Sequence, residues 1–229
     1  MVLPREPIPA RNEGRLDARG VRAGVFRVDG MPSVSSQAAS ITLLSGQTNS
    51  REARIERQKR RLVMDAFAER VQTQIPQGMG GEATYDELLG HAVATASVTM
   101  QAPQWMEGVR SLDQMVRLTL ERGVEASEIA ELAKKELRSA SHMIDQLPTI
   151  DPGILCDMLT DSITTHMVFE DLEQRLGWTR EWLEGFTPAE AQQVFRRLWV
   201  TGGMAFHVSG GVGIDLTAAK VVQEVQQGR

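Results

Sequence analysis

From residue 50 onward, apolar positions recur along most of the chain at the three-and-four spacing of an amphipathic helix. Asn49 with Glu52 has capping-box spacing, and behind it Ile55, Leu62, Val63, Ala66, Phe67 and Val71 share one face. Thr84 with Glu87 repeats the signature before Leu88, Leu89, Ala92, Val93 and Ala96, which predicts a helix running to Met100. Ser111 with Gln114 introduces Leu112, Met115, Val116, Leu118 and Leu120, closed by Gly123. Ile129, Leu132, Ala133, Leu137, Ala140, Ile144 and Leu147 form the next stripe, which Pro148 ends. Asp151-Pro152 opens a long helix through Leu155, Met158, Leu159, Ile163, Met167, Leu172 and Leu176, with Gly177 as its C-terminal glycine. Thr187-Pro188-Ala189-Glu190 joins an N-cap, a first-turn proline and a third-position Glu, and so starts a helix bearing Val194, Phe195, Leu198 and Trp199. Ser209 to Gly213 reads as a flexible loop before a last helix from Asp215 to Gln227.

The first 48 residues lack such a period. Pro4, Pro7, Pro9 and Pro32, four interrupting glycines and a Ser-rich run from Ser33 to Ser45 describe a segment unable to offset its own ordering entropy. Its apolar pieces around Phe26, Val28, Leu43 and Leu44 read as anchor points for docking on another surface. Pro76 to Gly81 is the sharpest break in the chain. The pattern therefore predicts an all-α protein, an irregular helical bundle of about six to seven helices with an extended, largely non-regular N-terminal arm. Residues 1–48 form the arm, 49–75 a basic amphipathic helix, and 82–229 an acidic helical body.

Charge strengthens that division. Residues 1–70 hold thirteen Arg or Lys against eight Asp or Glu, whereas the remainder holds twelve against twenty-two. Arg51, Arg54, Arg57, Lys59, Arg60 and Arg61 crowd one helix, and no aromatic interleaves them to stack on bases. Arg54, Arg57, Arg60 and Arg61 are thus candidate contacts for an acidic partner or for phosphate, with a solvated helix face as the plainer account. Eleven Met against six Phe, four Trp and one Tyr favour an aliphatic helical core. The single cysteine, Cys156, excludes an intrachain disulfide and reads as a buried thiol. The chain contains no apolar run of the ~20 residues that span a bilayer and no signal-peptide core, so the expected location is cytoplasmic or within a virion or other large assembly.

The search for chemistry finds no cofactor or catalytic motif. His91, His142, His166 and His207 are scattered, with no H-E-x-x-H. Asp157 with Asp161, and His166 with Glu170, are each spaced as neighbours on a helix, but the step between the pairs turns them apart, so no metal ligand set is expected. Ser209 to Gly213 lacks the Lys-Ser/Thr of a Walker loop, and no G-x-S-x-G is present. The stretch from Trp182 to Ala191, followed by Leu198-Trp199, resembles the C-terminal helices of tail-assembly proteins of tailed bacteriophages over a small part of the chain. The sequence thus points to a non-enzymatic structural or assembly protein of virion, phage-tail or secretion-machine type, its arm docking on other protein subunits or on copies of itself. The alternatives are a nucleic-acid-associated protein using residues 51–61, or a helical regulator or chaperone.

Overall fold

The computed structural model describes residues 20–44, 50–88, 90–164, 171–199, 203–213 and 215–228. In it the all-α expectation fails. A five-stranded mixed sheet runs β1 (Val21–Arg27), β5 (Met204–Gly210), β2 (Ser33–Leu43), β4 (His91–Gln101), β3 (Gly80–Leu88) from edge to edge. β1 pairs parallel with β5, and every other neighbouring pair is antiparallel. The helices are α1 (Arg51–Gln74), α2 (Trp105–Arg122), α3 (Ala126–Gln146), α4 (Pro152–Thr164), α5 (Leu172–Gly185), α6 (Pro188–Trp199) and α7 (Ala218–Gln227).

The described part of the expected arm supplies an edge strand and the central strand. Val34 and Ala38 of β2 are among the most deeply buried residues of the protein, and Leu44 continues the strand by donating its N–H to Gly90 O at 2.8 Å. The helix expected after Thr84 is instead the β3–β4 hairpin. From Ala92 to Met100 the side chains alternate between an apolar inner row and a row of Thr, Ser and Val, and this period of two outweighs a capping signature formed by chance. The glycine-rich loop after Ser209 begins as the last two residues of β5. The long helix expected from Asp151 to Leu176 is two helices, with Gly177 inside the second.

α1 begins where expected, shifted by one residue. Ser50 is its N-cap, its hydroxyl accepting from Ala53 N at 3.2 Å, while Asn49 lies outside the described residues. The inner row of the sheet carries Ser36, Ala38 and Ser40 on β2, Ala94, Ala96 and Val98 on β4, and Phe206 and Val208 on β5. Such small side chains let helices approach closely. At Gly108 of α2 a Cβ would lie 2.3 Å from Met100 Sδ. Phe67 of α1 meets Phe195 and Trp199 of α6 edge-on, with ring centroids 5.1 and 5.7 Å apart. Ser40 Oγ donates to the Leu198 carbonyl at 2.6 Å, satisfying one of the orphan acceptors at the end of α6.

Candidate functional site

The β3 edge combines an open strand with a cluster of half-buried charges. Along β3, Ala83, Tyr85 and Glu87 point inward while Glu82, Thr84, Asp86 and Leu88 point outward. α1 packs over the inner row and presents Arg57 and Arg60, one turn apart, to Tyr85 and Glu87. Arg57 Nε donates to Glu87 Oε2 at 2.7 Å, and Arg60 donates through Nη2 to Glu87 Oε1 at 2.9 Å and through Nε to Tyr85 Oη at 2.6 Å. The Tyr85 hydroxyl in turn donates to Glu87. Burial alone would raise Glu87, but the bonds from Tyr85, Arg60 and Arg57 outweigh it and hold its carboxyl below the ordinary range. Burial and the bond to Glu87 push the Tyr85 phenol up.

These contacts fasten β3 to the helix behind it. A second clamp lies at the other end of α1, where Arg70 Nε donates to Glu128 Oε1 at 2.6 Å and Arg70 Nη1 to the Gly123 carbonyl at 2.8 Å. Arg51 pairs with Glu181, and Lys59 Nζ donates to Glu190 Oε1 at 2.6 Å while lying 5.9 Å from the Phe186 ring centroid. Much of the basic stretch is therefore matched by carboxylates within the chain.

Of the residues singled out from the sequence, Arg57 and Arg60 converge in this cluster, Arg54 is half-buried on α1, and Arg61 is exposed. Phe26 is exposed on β1, Val28 is half-buried just beyond it with its N–H donating to Gly210 O at 2.9 Å, Leu43 is exposed at the end of β2, and Leu44 packs on the core. The structure does not gather the eight into one surface. Tyr85 and Glu87 were missed, and their i, i+2 spacing would have marked a shared face only once this segment was read as a strand.

No three His, Cys, Asp or Glu side chains converge to hold a metal ion among the described residues. His91 opens β4, His142 lies on α3 and His207 on β5, while His166 and Glu170 fall outside the described residues. No helix there is long and apolar enough to cross a membrane. Cys156, expected to be buried, is exposed on α4.

No protein-family model matches the chain, and no curated protein does. Solved structures do share its fold. The periplasmic protease PqqL from Escherichia coli superposes with a TM-score of 0.80 at 14% identity, covering 94% of this chain and 25% of that one. A predicted insulinase family protease from Yersinia pestis gives 0.74 at 13%, covering 90% and 46%. The peptidase M16 inactive domain from Pseudomonas fluorescens gives 0.60 at 8%, covering 86% and 45%. The chain thus spans a quarter to about half of these molecules. This likeness, over nearly the whole chain, overturns the reading as a virion, phage-tail or secretion-machine component: the fold is α/β and resembles that of insulinase-type M16 peptidase domains.

Proposed function

We propose that this chain is a non-catalytic peptidase-fold domain that holds extended polypeptide along the β3 edge. The observation that carries this reading is an edge strand fixed from behind by Arg57, Arg60, Tyr85 and Glu87, on a fold shared with peptidases. A fastened strand is a preorganised template for adding another strand, because its free N–H and C=O groups are already aligned. Glu82 and Asp86 stand on its outward row four residues apart, so they favour basic side chains at matching intervals in the bound peptide. The absence of catalysis is supported by the sequence itself, in which neither H-E-x-x-H nor H-x-x-E-H occurs. It is further supported by the Pseudomonas fluorescens neighbour, described as an inactive domain.

The test has two arms. Reduced casein incubated with the chain and added zinc is expected to stay intact, and chelator-sensitive cleavage would show the domain to be an enzyme. A fluorescent peptide of alternating Val and Lys is expected to bind, and its N-methylated form, which lacks ladder donors, to bind at least about tenfold more weakly. Equal binding of both forms, or binding of neither, refutes the edge as the site. Edge charges also deter aggregation, and the N-methyl comparison separates that role from peptide recognition.

A further inference from the structure

α1 lies along the β3 edge and runs antiparallel to it. Glu87 meets Arg57 and Arg60 near the start of the helix, whereas a Cβ added at Gly81 would lie 2.6 Å from the Val71 carbonyl oxygen near its end. The helix packs on β3 far more than on β4, so it sits above the edge strand itself. On one flank of that contact Phe67 turns to Phe195 and Trp199 in the core. On the other flank Arg54, Arg57 and Arg61 follow one another at i, i+3 and i+7, over the open side of the edge, where no described strand pairs with β3.

That flank is positive. With the neighbouring Arg60 it carries four guanidiniums, against which stand the carboxylates of Glu87 and, one turn beyond Arg61, of Asp65. Glu56 is drawn the other way, to Lys59 and Arg197. The Arg57 side chain stays 33% exposed while bound to Glu87, and Arg61 is exposed. On the outward row of β3 the sign is reversed, with Glu82 and Asp86 both exposed. A strand added to β3 alternates its side chains between these two surfaces, one row under the arginines and the next beside the carboxylates.

We infer that the polypeptide held at the β3 edge is one in which acidic and basic side chains alternate, the acidic row meeting Arg54, Arg57 and Arg61 of α1 and the basic row meeting Glu82 and Asp86 of β3. This rests on the reading of the edge as a peptide site and adds the chemical class of its ligand. Two rows of opposite sign also fix the register. A slip by one residue would set acid against Glu82 and Asp86 and base against the arginines, so both rows would become repulsive at once. Beside Gly81 the same flank of α1 continues as Ala68 and Gln72, without charge, so the demand for acidic side chains is confined to the Glu87 end of the strand.

Fluorescence anisotropy of the full chain with two peptides of equal length decides this, one alternating Lys with Glu and the other alternating Lys with Gln. The Lys-Glu peptide is expected to bind about three- to tenfold more tightly, as a few exposed charge pairs allow, and to lose that advantage at about 1 M salt. The chain's net charge of −5 favours the more basic Lys-Gln peptide, so non-specific attraction predicts the opposite order. Arg61→Gln is expected to shrink the preference and Arg61→Glu to abolish it, with circular dichroism unchanged in both. Binding of the Lys-Gln peptide with no advantage for Lys-Glu, or a preference that neither Arg61 variant moves, overturns the inference and leaves the edge as a peptide site. Binding of neither peptide overturns the edge reading and this inference together.

Discussion

On the central strand β2 the two faces of the sheet are built from nearly the same amino acids and have opposite fates. The inner row of β2 reads Val34, Ser36, Ala38, Ser40 and the outer row Ser35, Gln37, Ala39, Ile41, yet the first is fully buried under helices and the second is not. On the outer face a large residue is exposed at the rim, as Phe26 is on β1, whereas Phe206 on the adjacent β5 points inward and is 1% exposed. Burial along β2 is decided by which helices the connections bring over the sheet, and side-chain polarity follows it only weakly.

The same substitution on neighbouring strands makes the sharpest break. Phe206→Ala removes a fully buried ring, and its expected cost is about 3–5 kcal/mol. Phe26→Ala removes a ring already largely in water, with an expected change within about 0.5 kcal/mol. Urea unfolding of the two variants at one protein concentration checks this. Comparable losses would mean that the outer face is as deeply packed as the inner.

The next contrast lies within β3, where the inner row carries the charges. Glu87→Gln removes the charge that Arg57 and Arg60 both meet, with an expected loss of about 1–3 kcal/mol at neutral pH. The pH dependence separates the partners. The folded state holds Glu87 below its ordinary value, so its contribution is complete above about pH 4.3 and fades as the pH falls through the depressed value. Tyr85 is raised in the folded state, so its contribution is complete below about pH 10 and is lost as the pH climbs further. Urea midpoints across pH are therefore expected to show a shallower acid limb for Glu87→Gln and a shallower alkaline limb for Tyr85→Phe. Limbs that do not move would place the cluster outside the folding energetics.

The likeness of the two faces of β2, and its absence elsewhere, explain how much of this architecture was legible in the sequence. Helices with strong polar–apolar contrast were readable: the α6 signature at Thr187 to Glu190, the stripe of α3, and α1 to within one residue. β2 was not, because Ser40 is buried through its bond to the Leu198 carbonyl and Ser36 under the close approach of α2 at Gly108, so the strand has no hydrophobic alternation to detect. β4 has alternation, but Ala and Val also fit a helical face, and the Thr84–Glu87 capping pattern tipped the reading. At the candidate site, the arginines stood out by their density on α1. Tyr85 and Glu87 did not, because their partnership depends on strand geometry and on a helix 25 to 30 residues earlier in the chain.

The smallest expected effect isolates hydrogen bonding from apolar burial. Ser40 Oγ donates to the Leu198 carbonyl at 2.6 Å in a buried position, so Ser40→Ala removes the shorter of that acceptor's two side-chain bonds, leaving the one from Thr42 Oγ1 at 3.3 Å, without changing the helix approach. The expected loss is about 1 kcal/mol or slightly more. On the outer face, the hydroxyls of Thr84 and Thr95 lie 2.7 Å apart in an exposed cross-strand pair. In Thr84→Val, water replaces the lost partner of Thr95 and the branched shape suits the strand, so the expected change is within about 0.5 kcal/mol in either direction. Hydrogen exchange adds a readout that a purely apolar account does not move. In Ser40→Ala the last turn of α6 is expected to lose protection ahead of the rest of the molecule, because the substitution weakens the bonding of a carbonyl at that end alone. A uniform loss over the whole protein, or equal costs for Ser40→Ala and Thr84→Val, would mean that the inner hydroxyl acts only by filling space.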